Sequence, residues 1–177
     1  MTDQRERIRR HVAAPPGVHF RALVRALDLA PGQVQHHVRR LVRADELVEE
    51  PLYGRTHYYE PAFDPRERTA IAVLRRETAR DVLVWLLSEG PASPGAVADE
   101  LGLARSTVEW HLDHLEEQNL VRKERDARGR VTLVPERPEE TARLLRLVEP
   151  SLPDRLVDRF TRLFDGFLAG ADGSAEK

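Results

Sequence analysis

The sequence contains no cysteine, and only two of its 28 basic residues are lysines, Lys123 and Lys177. Without cysteine the chain can form no disulfide, no thiolate metal site and no cysteine nucleophile. Long apolar runs are absent as well, since the longest, residues 82–87, covers six residues where a membrane helix needs about 20. The first residues, Met1–Arg5, lead into no apolar segment. We therefore expect no secretory signal and a cytoplasmic protein of one or two small domains.

Opposite charges nearly cancel over the whole chain, with 28 Lys and Arg against 30 Asp and Glu and a net charge of −2. This balance does not by itself indicate a nucleic-acid partner. The charges are unevenly distributed, however, because residues 1–62 have a net charge of +2, whereas residues 63–134 and 135–177 each have −2. The first third of the chain is therefore the better candidate for binding an anionic partner.

An internal repeat organises the chain. At an offset of 74 residues, the stretch 6–41 matches the stretch 80–115 without a gap, and seven pairs are identical, among them His37/His111 and Leu41/Leu115. Apolar residues dominate the shared positions at helical spacing. The repeat therefore indicates two copies of one helical framework with a common buried face.

Each copy predicts three helices followed by a β-hairpin. In the first copy we expect helices at 5–13, 19–27 and 31–45, and strands at 47–53 and 57–59 around a turn at 54–56. In the second copy we expect helices at 79–87, 93–101 and 106–118, and strands at 120–125 and 130–134. Ser106 is expected to cap the third helix of this copy, with Glu109 completing a capping box.

Further helices are expected outside the repeat, at 65–76, at 138–148 and from about 151 onward. The helix at 65–76 is expected to lead into the second copy. We therefore predict domains at 1–62 and 63–136, a C-terminal helical segment at 137–169 and a disordered tail at 170–177.

A helix, a turn, a second helix and a glycine-tipped hairpin together resemble the winged helix-turn-helix arrangement. The stretch Leu103–Val121 is similar to the third helix of ArsR/MarR-like regulators, and Leu29–Val48 resembles it more loosely, with one extra residue before Leu47. The whole organisation resembles the tandem winged-helix transcriptional regulators common in halophilic archaea. This resemblance implies a mainly α fold with small β-hairpin wings, two tandem winged helix-turn-helix domains plus C-terminal helices, and sequence-specific binding of double-stranded DNA.

The third helix of such a domain enters the major groove, so its outward residues decide which domain can read DNA. In the first copy helical geometry turns outward Gly32, Gln35, His36, Arg39, Arg40 and Arg43, which suit base edges and phosphates. In the second copy it turns outward Ser106, Glu109, Trp110, Asp113, His114 and Glu117, three of which are carboxylates that repel phosphate. We therefore predict that the N-terminal domain is the main DNA reader.

The predicted DNA contacts include both wings. In the first domain they are Gln33, Gln35, His36, Arg39, Arg40, Arg43, Arg55 and His57. In the second domain they are Arg105, Ser106, Thr107, Trp110, Arg125, Arg128 and Arg130, the last three from a basic wing that also contains Arg122 and Lys123. Two alternatives stay open: Arg39, Arg40 and Arg43 on the third helix of the first copy could be a solvated face, and Trp110 could be a core residue packed on Trp85 or the linker helix.

No pattern typical of catalysis is present, since the sequence lacks Gly-x-Ser-x-Gly, His-Glu-x-x-His and a glycine-rich phosphate loop. We therefore expect no enzyme and no cofactor. His111 and His114 resemble the ligand pairs of some metal-sensing regulators, but two nitrogen donors without a third strong ligand make a poor zinc site, so no metal is predicted. His37 and His111 are expected to be packed, hydrogen-bonded core histidines.

The last predicted helix carries a stripe of large apolar residues at coiled-coil spacing, formed by Leu156, Phe160, Leu163, Phe164 and Phe167. We interpret this stripe as the contact surface of a homodimer, with folding back onto its own domain as the alternative. A second class of function also stays open, namely a tandem winged-helix scaffold that binds chromosomal or basal-transcription proteins. The acidic face of the second domain favours this protein-binding function. A further possibility is a regulator whose second domain responds to an unknown small-molecule effector or a protein partner.

Overall fold

The computed structural model describes residues 4–148, which form two compact units. Within the described residues, the first unit comprises the chain up to Arg75 together with residues 147–148, and the second runs from Arg76 to Arg146. The apolar stripe from Leu156 to Phe167 and the tail at 170–177 lie outside the described residues. Among the helices that are described, none combines the length and the apolar character needed to span a bilayer.

The first unit contains four helices and a three-stranded antiparallel sheet in the order β1-β3-β2. Its elements are α1 (Gln4–Ala13), β1 (Val18–His19), α2 (Phe20–Leu27), α3 (Pro31–Arg43), β2 (Val48–Leu52), β3 (Arg55–Tyr59) and α4 (Pro65–Leu74). The predicted stripe of Val34, Val38 and Leu41 on α3 is buried, together with Ile8 of α1 and Leu23 of α2. The three helices enclose one apolar core, and the hairpin β2–β3 extends from it as the wing.

The second unit repeats this plan. Its elements are α5 (Glu77–Glu89), α6 (Pro94–Leu101), α7 (Arg105–Glu117), β4 (Val121–Arg125), β5 (Val131–Pro135) and α8 (Pro138–Leu147). Helices α6 and α7 begin and end 74 residues after α2 and α3, as the repeat predicted. The short strand β1 has a reduced counterpart, since Ala92 forms a single antiparallel bridge with Leu133 at the edge of the hairpin β4–β5.

Residues at corresponding positions of the repeat cap both ends of helices α2 and α6. His19 caps α2 by accepting a hydrogen bond from the Ala22 N–H at 3.3 Å, and Ser93 caps α6 by accepting from the Ala96 N–H at 3.2 Å. After these helices Asp28 and Gly102 take left-handed conformations with φ of 51° and 64°. The turn from one helix to the next is thus the same in both units.

The predicted capping box at Ser106 is wrong. Helix α7 begins at Arg105 with Ala104 as its cap residue, so Ser106 is the second helical residue. The turn after Gly102 has the same length as the turn after Asp28, so α7 starts in register with α3, one residue before the serine. A complete capping box occurs instead at the start of α4, where Asp64 accepts from the Glu67 N–H and Glu67 accepts from the Asp64 N–H.

The turn of the first wing begins one residue earlier than predicted and is one residue shorter. Leu52 pairs with Arg55, so the loop consists of Tyr53 and Gly54, whose φ angles are 49° and 76°. Positive φ at both loop residues defines a type I′ turn, whose twist suits a two-residue hairpin. Strand β3 therefore starts at Arg55 instead of residue 57, so His57 lies in the middle of the strand and not at its start.

Helix α4 belongs to the first unit and does not lead the second. The Tyr59 hydroxyl donates a hydrogen bond of 2.6 Å to the Arg68 carbonyl, and Arg68 Nε lies 3.1 Å from Glu50 Oε2. These contacts fasten α4 to both strands of the wing hairpin. They involve side chains distant from one another in sequence, so the helical pattern of residues 65–76 could not assign the helix to either copy.

Candidate nucleic-acid interface

An open groove of about 1150 Å³ lies in the first unit between α2, α3 and the wing. Its floor is apolar and includes Phe20, Val24, Val38 and Tyr58. Its rim carries four arginines, Arg21, Arg25, Arg39 and Arg55. Helix α2 supplies two of them, α3 one and the start of β3 the fourth.

The charge of this groove is strongly positive. Glu49 is the only carboxylate among its lining residues. Within residues 4–148, none of the four arginines of the rim forms an ion pair. Unpaired guanidinium groups around an open groove attract an anionic partner, and their planar donors suit phosphate and guanine.

A second, shallower groove of about 210 Å³ runs along the other side of α3. It is lined by the six residues that helical geometry turned outward, namely Gly32, Gln35, His36, Arg39, Arg40 and Arg43. Gln35 and Arg39 line both grooves, so they form the crest of α3 between them. A Cβ added to Gly32 would meet no atom within 4 Å, so the backbone at the start of this helix is open to an approaching ligand.

Two of the predicted contacts in this unit have structural roles instead. His57 was expected to touch DNA, but it is only 2% exposed, and its Nδ1 lies 2.8 Å from the Gly17 carbonyl oxygen. This prediction is wrong because β3 is the central strand of the sheet and β1 covers it. Gln33 is exposed, but its Oε1 accepts a hydrogen bond of 3.3 Å from the Ala30 N–H and thereby caps α3.

The sequence analysis missed the contribution of α2. Arg21 and Arg25 lie one turn apart on its exposed side, opposite the buried Leu23 and Leu27. This i, i+4 spacing against an apolar stripe was a usable signal. His19 also lines the groove, and burial, followed by the charge of Arg55, lowers the pKa of its imidazole. Because its Nδ1 accepts the capping hydrogen bond, neutral His19 carries its proton on Nε2.

In the second unit the outward face of α7 is acidic, and a lysine of the same unit neutralises part of its charge. Lys123 of β4 extends over this face, and its Nζ lies 2.7 Å from Asp113, 3.6 Å from Glu109 and 3.5 Å from Glu116. The lysine side chain is 15% exposed, so it is largely enclosed by these carboxylates. Three of the acids on α7 thus share one cation of the wing.

The basic wing of this unit is also largely neutralised. Arg122 Nε lies 2.9 Å from Glu124 Oε1, and Arg130 Nε lies 2.7 Å from Asp126 Oδ2. The backbone N–H groups of Arg128 and Arg130 donate to the same aspartate, and these hydrogen bonds lower the pKa of Asp126. Arg125 and Arg128 form no ion pair with any residue between 4 and 148. Only these two wing arginines offer unpaired charge.

Trp110 is exposed, so it is not the core residue that the sequence left as an alternative. Its side chain is the single large hydrophobic one that stands exposed in the described part of the chain, at 45%. The Arg76 guanidinium lies 5.1 Å from its ring centroid, and the His114 ring lies 4.0 Å from it. The aromatic face is thus covered by cationic and imidazole groups of its own unit.

The two histidines predicted to be hydrogen-bonded in the core are only half-buried. Nδ1 of His37 and Nδ1 of His111 are buried and have no hydrogen-bond partner in the part of the chain that is described. Burial, followed by the charges of Arg76 and His114, lowers the pKa of His111 to about 4. The imidazole of His111 is therefore neutral at physiological pH. Over residues 4–148, no group of three or more His, Asp or Glu side chains is arranged so that it could hold a metal ion.

The remaining predicted contacts of the second unit, Arg105, Ser106 and Thr107, are exposed at the start of α7. The Arg105 guanidinium lies against Gly95 of α6, where an added Cβ would meet its Nη2 at 2.9 Å. These three residues share one end of α7 with Glu109, at the edge of the acidic face.

Comparison with known proteins supports the division into two units. A family described as an N-terminal HTH domain matches residues 2–71, and a family described as a helix-turn-helix domain matches residues 76–124. An uncharacterised HTH-type transcriptional regulator from Methanocaldococcus jannaschii is 27% identical over 126 residues, which are 71% of this chain and 32% of the relative. This chain thus spans about a third of that relative's length. The crystal structure of the PcaV transcriptional regulator from Streptomyces coelicolor aligns with 83% of this chain and 88% of its own, with 26% identity and a TM-score of 0.38.

Proposed function

Because the chain consists of two helix-turn-helix domains in tandem, with an ArsR-like second domain, we propose that it is a transcriptional regulator that binds specific double-stranded DNA through its first unit. The observation that carries this proposal is the groove with four unpaired arginines beside the exposed face of α3. In the second unit the corresponding helix is acidic. Phosphate neutralisation supplies most of the affinity of such proteins, so DNA binds where cations are free.

The residues of the first unit divide by position into two roles. Gln35 and Arg39, on the crest of α3, face the base edges, where Gln pairs with adenine and Arg with guanine. The flanking residues contact the two phosphate backbones and fix the register of α3 without reading sequence. On one side these are Arg21, Arg25 and Arg55, and on the other His36, Arg40 and Arg43.

A second candidate function concerns the second unit, which we propose binds a protein more readily than DNA. The observation that favours it is an exposed Trp110 beside the carboxylates Glu109 and Asp113. Aromatic residues are enriched at protein interfaces, whereas carboxylates repel phosphate. In this arrangement Arg125 and Arg128 are the residues of the second wing that still suit a DNA backbone.

The regulator acts as a homodimer in this proposal. The support comes from sequence alone, since Leu156, Phe160, Leu163, Phe164 and Phe167 lie outside the described residues. A two-fold dimer reads two inverted half-sites about 10 base pairs, or a multiple of this, apart. Sedimentation of the full chain as a monomer at micromolar concentration would contradict this part of the proposal.

The proposal is tested by selecting binding sites from random-sequence duplexes and measuring affinity for the selected duplex by fluorescence anisotropy. We expect affinity to fall by about 10³-fold or more between 50 and 200 mM salt if six or more phosphates are contacted. Arg39→Ala should weaken binding by roughly 5- to 150-fold and relax selection at one base pair. Arg55→Ala should weaken binding to all duplexes and reduce the salt slope by about one.

Arg66→Ala is the matched control, because Arg66 is an exposed arginine of α4 that lies outside both grooves. Wild-type affinity in both Arg39→Ala and Arg55→Ala would reject the first unit as the DNA reader. A loss of binding confined to Trp110→Ala would assign the reading to the second unit. Failure of the selection to enrich any duplex would reject DNA binding and favour the protein-binding candidate.

A further inference from the structure

Arg75 holds the chain segment that precedes β1 and leads into α2. It is the C-cap residue of α4 and directly precedes the second unit, which begins at Arg76. Its guanidinium donates two hydrogen bonds to the carbonyl oxygen of Pro16, from Nε at 3.0 Å and from Nη2 at 2.8 Å. Two donors on one acceptor fix both the distance and the direction of this contact. The contact joins residues 59 positions apart in the sequence.

The segment that Arg75 holds connects directly to the wing. The Gly17 N–H donates a hydrogen bond of 2.9 Å to the Tyr58 carbonyl, and the Gly17 carbonyl oxygen lies 2.8 Å from His57 Nδ1. The next two residues form β1, which pairs Val18 with Tyr58 and His19 with His57. Strand β3 begins two residues before His57, at Arg55. The position of this arginine is therefore tied to the segment that follows Pro16.

The same segment also leads into α2. His19, the second residue of β1, is the cap of α2 and accepts a hydrogen bond from the Ala22 N–H. The cap sets where the helix starts, and the start sets the direction of Arg21 and Arg25 in its first two turns. Three of the four arginines of the groove thus depend on residues 16–19 for their placement. Arg39, Arg40 and Arg43 of α3 do not.

Helix α4 also contacts the wing directly. Arg68 binds Glu50 of β2 at 3.1 Å, and its carbonyl accepts the hydroxyl of Tyr59 at the end of β3. The Arg68 and Glu50 side chains are only 15% and 27% exposed, so the ion pair is sheltered from solvent. α4 therefore holds both strands of the hairpin as well as the segment before α2.

We propose that Arg75 is a positioning residue for DNA binding, which sets the spacing of Arg21, Arg25 and Arg55 relative to α3 through its two hydrogen bonds to Pro16. This inference rests on the proposed function of the first unit. Arg75 acts in it through the groove arginines and does not itself touch DNA. Removing the contact leaves every groove arginine present but lets the flank of α2 and the wing move relative to the crest of α3.

Double-mutant cycles on the selected duplex distinguish this role from direct contact and from general loss of stability. Affinity is measured for Arg75→Gln, Arg55→Gln and Arg43→Gln, and for the two doubles that contain Arg75→Gln, at a temperature where circular dichroism shows each variant to be folded. We expect Arg75→Gln to weaken binding by about tenfold or more and to remove most of the effect of Arg55→Gln, a coupling of about threefold or more. With Arg43→Gln, on α3, its effect should be additive.

Additive effects with both partners would overturn the inference, because a direct phosphate contact and a uniform loss of folded protein both predict additivity. Wild-type affinity in Arg75→Gln would overturn it as well. If Arg75→Gln does not fold, Arg75→Lys takes its place, because it keeps the positive charge but cannot reproduce the two-donor contact of the guanidinium with the Pro16 carbonyl, and the same coupling to Arg55 is expected. Absence of DNA binding by the wild-type chain would instead reject the proposed function on which the inference rests.

Discussion

Gly17 offers a sharp test of how tightly the wing packs against α4. It has a φ of +77°, and a Cβ built on it would lie 2.7 Å from Cγ2 of Ile71 and 3.1 Å from Cε1 of Tyr59. Both neighbours are fully buried. Ile71 belongs to α4 and Tyr59 to β3, so Gly17 fills a position where any side chain would push these two elements apart.

The cost of Gly17→Ala has two parts, and a second glycine separates them. A left-handed conformation costs an L-residue about 1–2 kcal/mol, and overpacking a buried site costs about 1–3 kcal/mol more. Gly54 has nearly the same φ, +76°, but its added Cβ would meet no atom within 4 Å. We therefore expect Gly54→Ala to lower the free energy of unfolding of the first unit by about 1–2 kcal/mol and Gly17→Ala by about 2–5 kcal/mol.

Peptide-resolved hydrogen exchange is the appropriate assay, because it reports the opening free energy of each unit separately. Peptides covering α4 and β3 should exchange faster in Gly17→Ala than in Gly54→Ala. Tryptophan fluorescence monitors the second unit in parallel, since Trp85 and Trp110 both belong to it. Equal losses of protection in the two variants would refute the close contact of Gly17 with Ile71 and Tyr59.

Two further predictions concern the second unit. Ser93→Ala should lower its free energy of unfolding by about 1 kcal/mol because the serine caps α6, whereas Ser106→Ala should change it by less than about 0.5 kcal/mol, and equal effects in urea titrations would contradict the assigned start of α7. His111 should titrate in NMR spectra with a pKa of about 4, below the value of 6.5 expected when unfolded. Because the unfolded state then takes up the proton first, this histidine should reduce stability as the pH falls from about 6.5 to 4, with little effect above that range. A pKa near 6.5 in the folded protein would contradict its burial.

The helical framework could be predicted from the sequence because it depends on buried stripes. Shared apolar positions at an offset of 74 such as Val34/Val108 and Leu41/Leu115 are buried, and helices α2/α6 and α3/α7 keep this offset at both ends. Burying these stripes excludes other registers, since a shift of one residue would move Leu41 or Leu115 out of the core. The tandem helix-turn-helix architecture and the mainly α fold with small hairpins are confirmed on this basis.

Local backbone geometry was harder to predict. A serine three residues before a glutamate favours a capping box at Ser106, yet α7 starts at Arg105 with Ala104 as its cap residue. The glycine at 54 indicated a turn, but only the pairing of Leu52 with Arg55 shows that Tyr53 shares it. The two-residue strand β1 has too little pattern to be predicted, and it is the element that buries His57.

The candidate site could be predicted only where one helix determines it. The outward residues of α3 follow from helical geometry, and all six line one groove. Which charges remain unpaired depends on neighbouring elements, and sequence spacing does not reveal this. Lys123 and Asp113 are ten positions apart and come from a strand and a helix, so their ion pair could not be foreseen.

The two units share one backbone arrangement, but the signs of the charges on the third helix and on the strand that follows it are reversed between them. Gln35, Arg39 and Arg43 of α3 correspond to Glu109, Asp113 and Glu117 of α7 at the offset of 74. The strand after each helix carries the opposite sign, with Glu49 and Glu50 in β2 and with Lys123 in β4.

The ion pairs increase the difference in free charge between the two recognition helices. In the second unit the lysine of the strand turns onto α7 and neutralises part of its own helix. In the first unit Glu50 turns away to Arg68 of α4, so the arginines of α3 keep their charge for an external partner. A net charge of −2 over the chain is therefore compatible with DNA binding, because four unpaired arginines line one groove of the first unit.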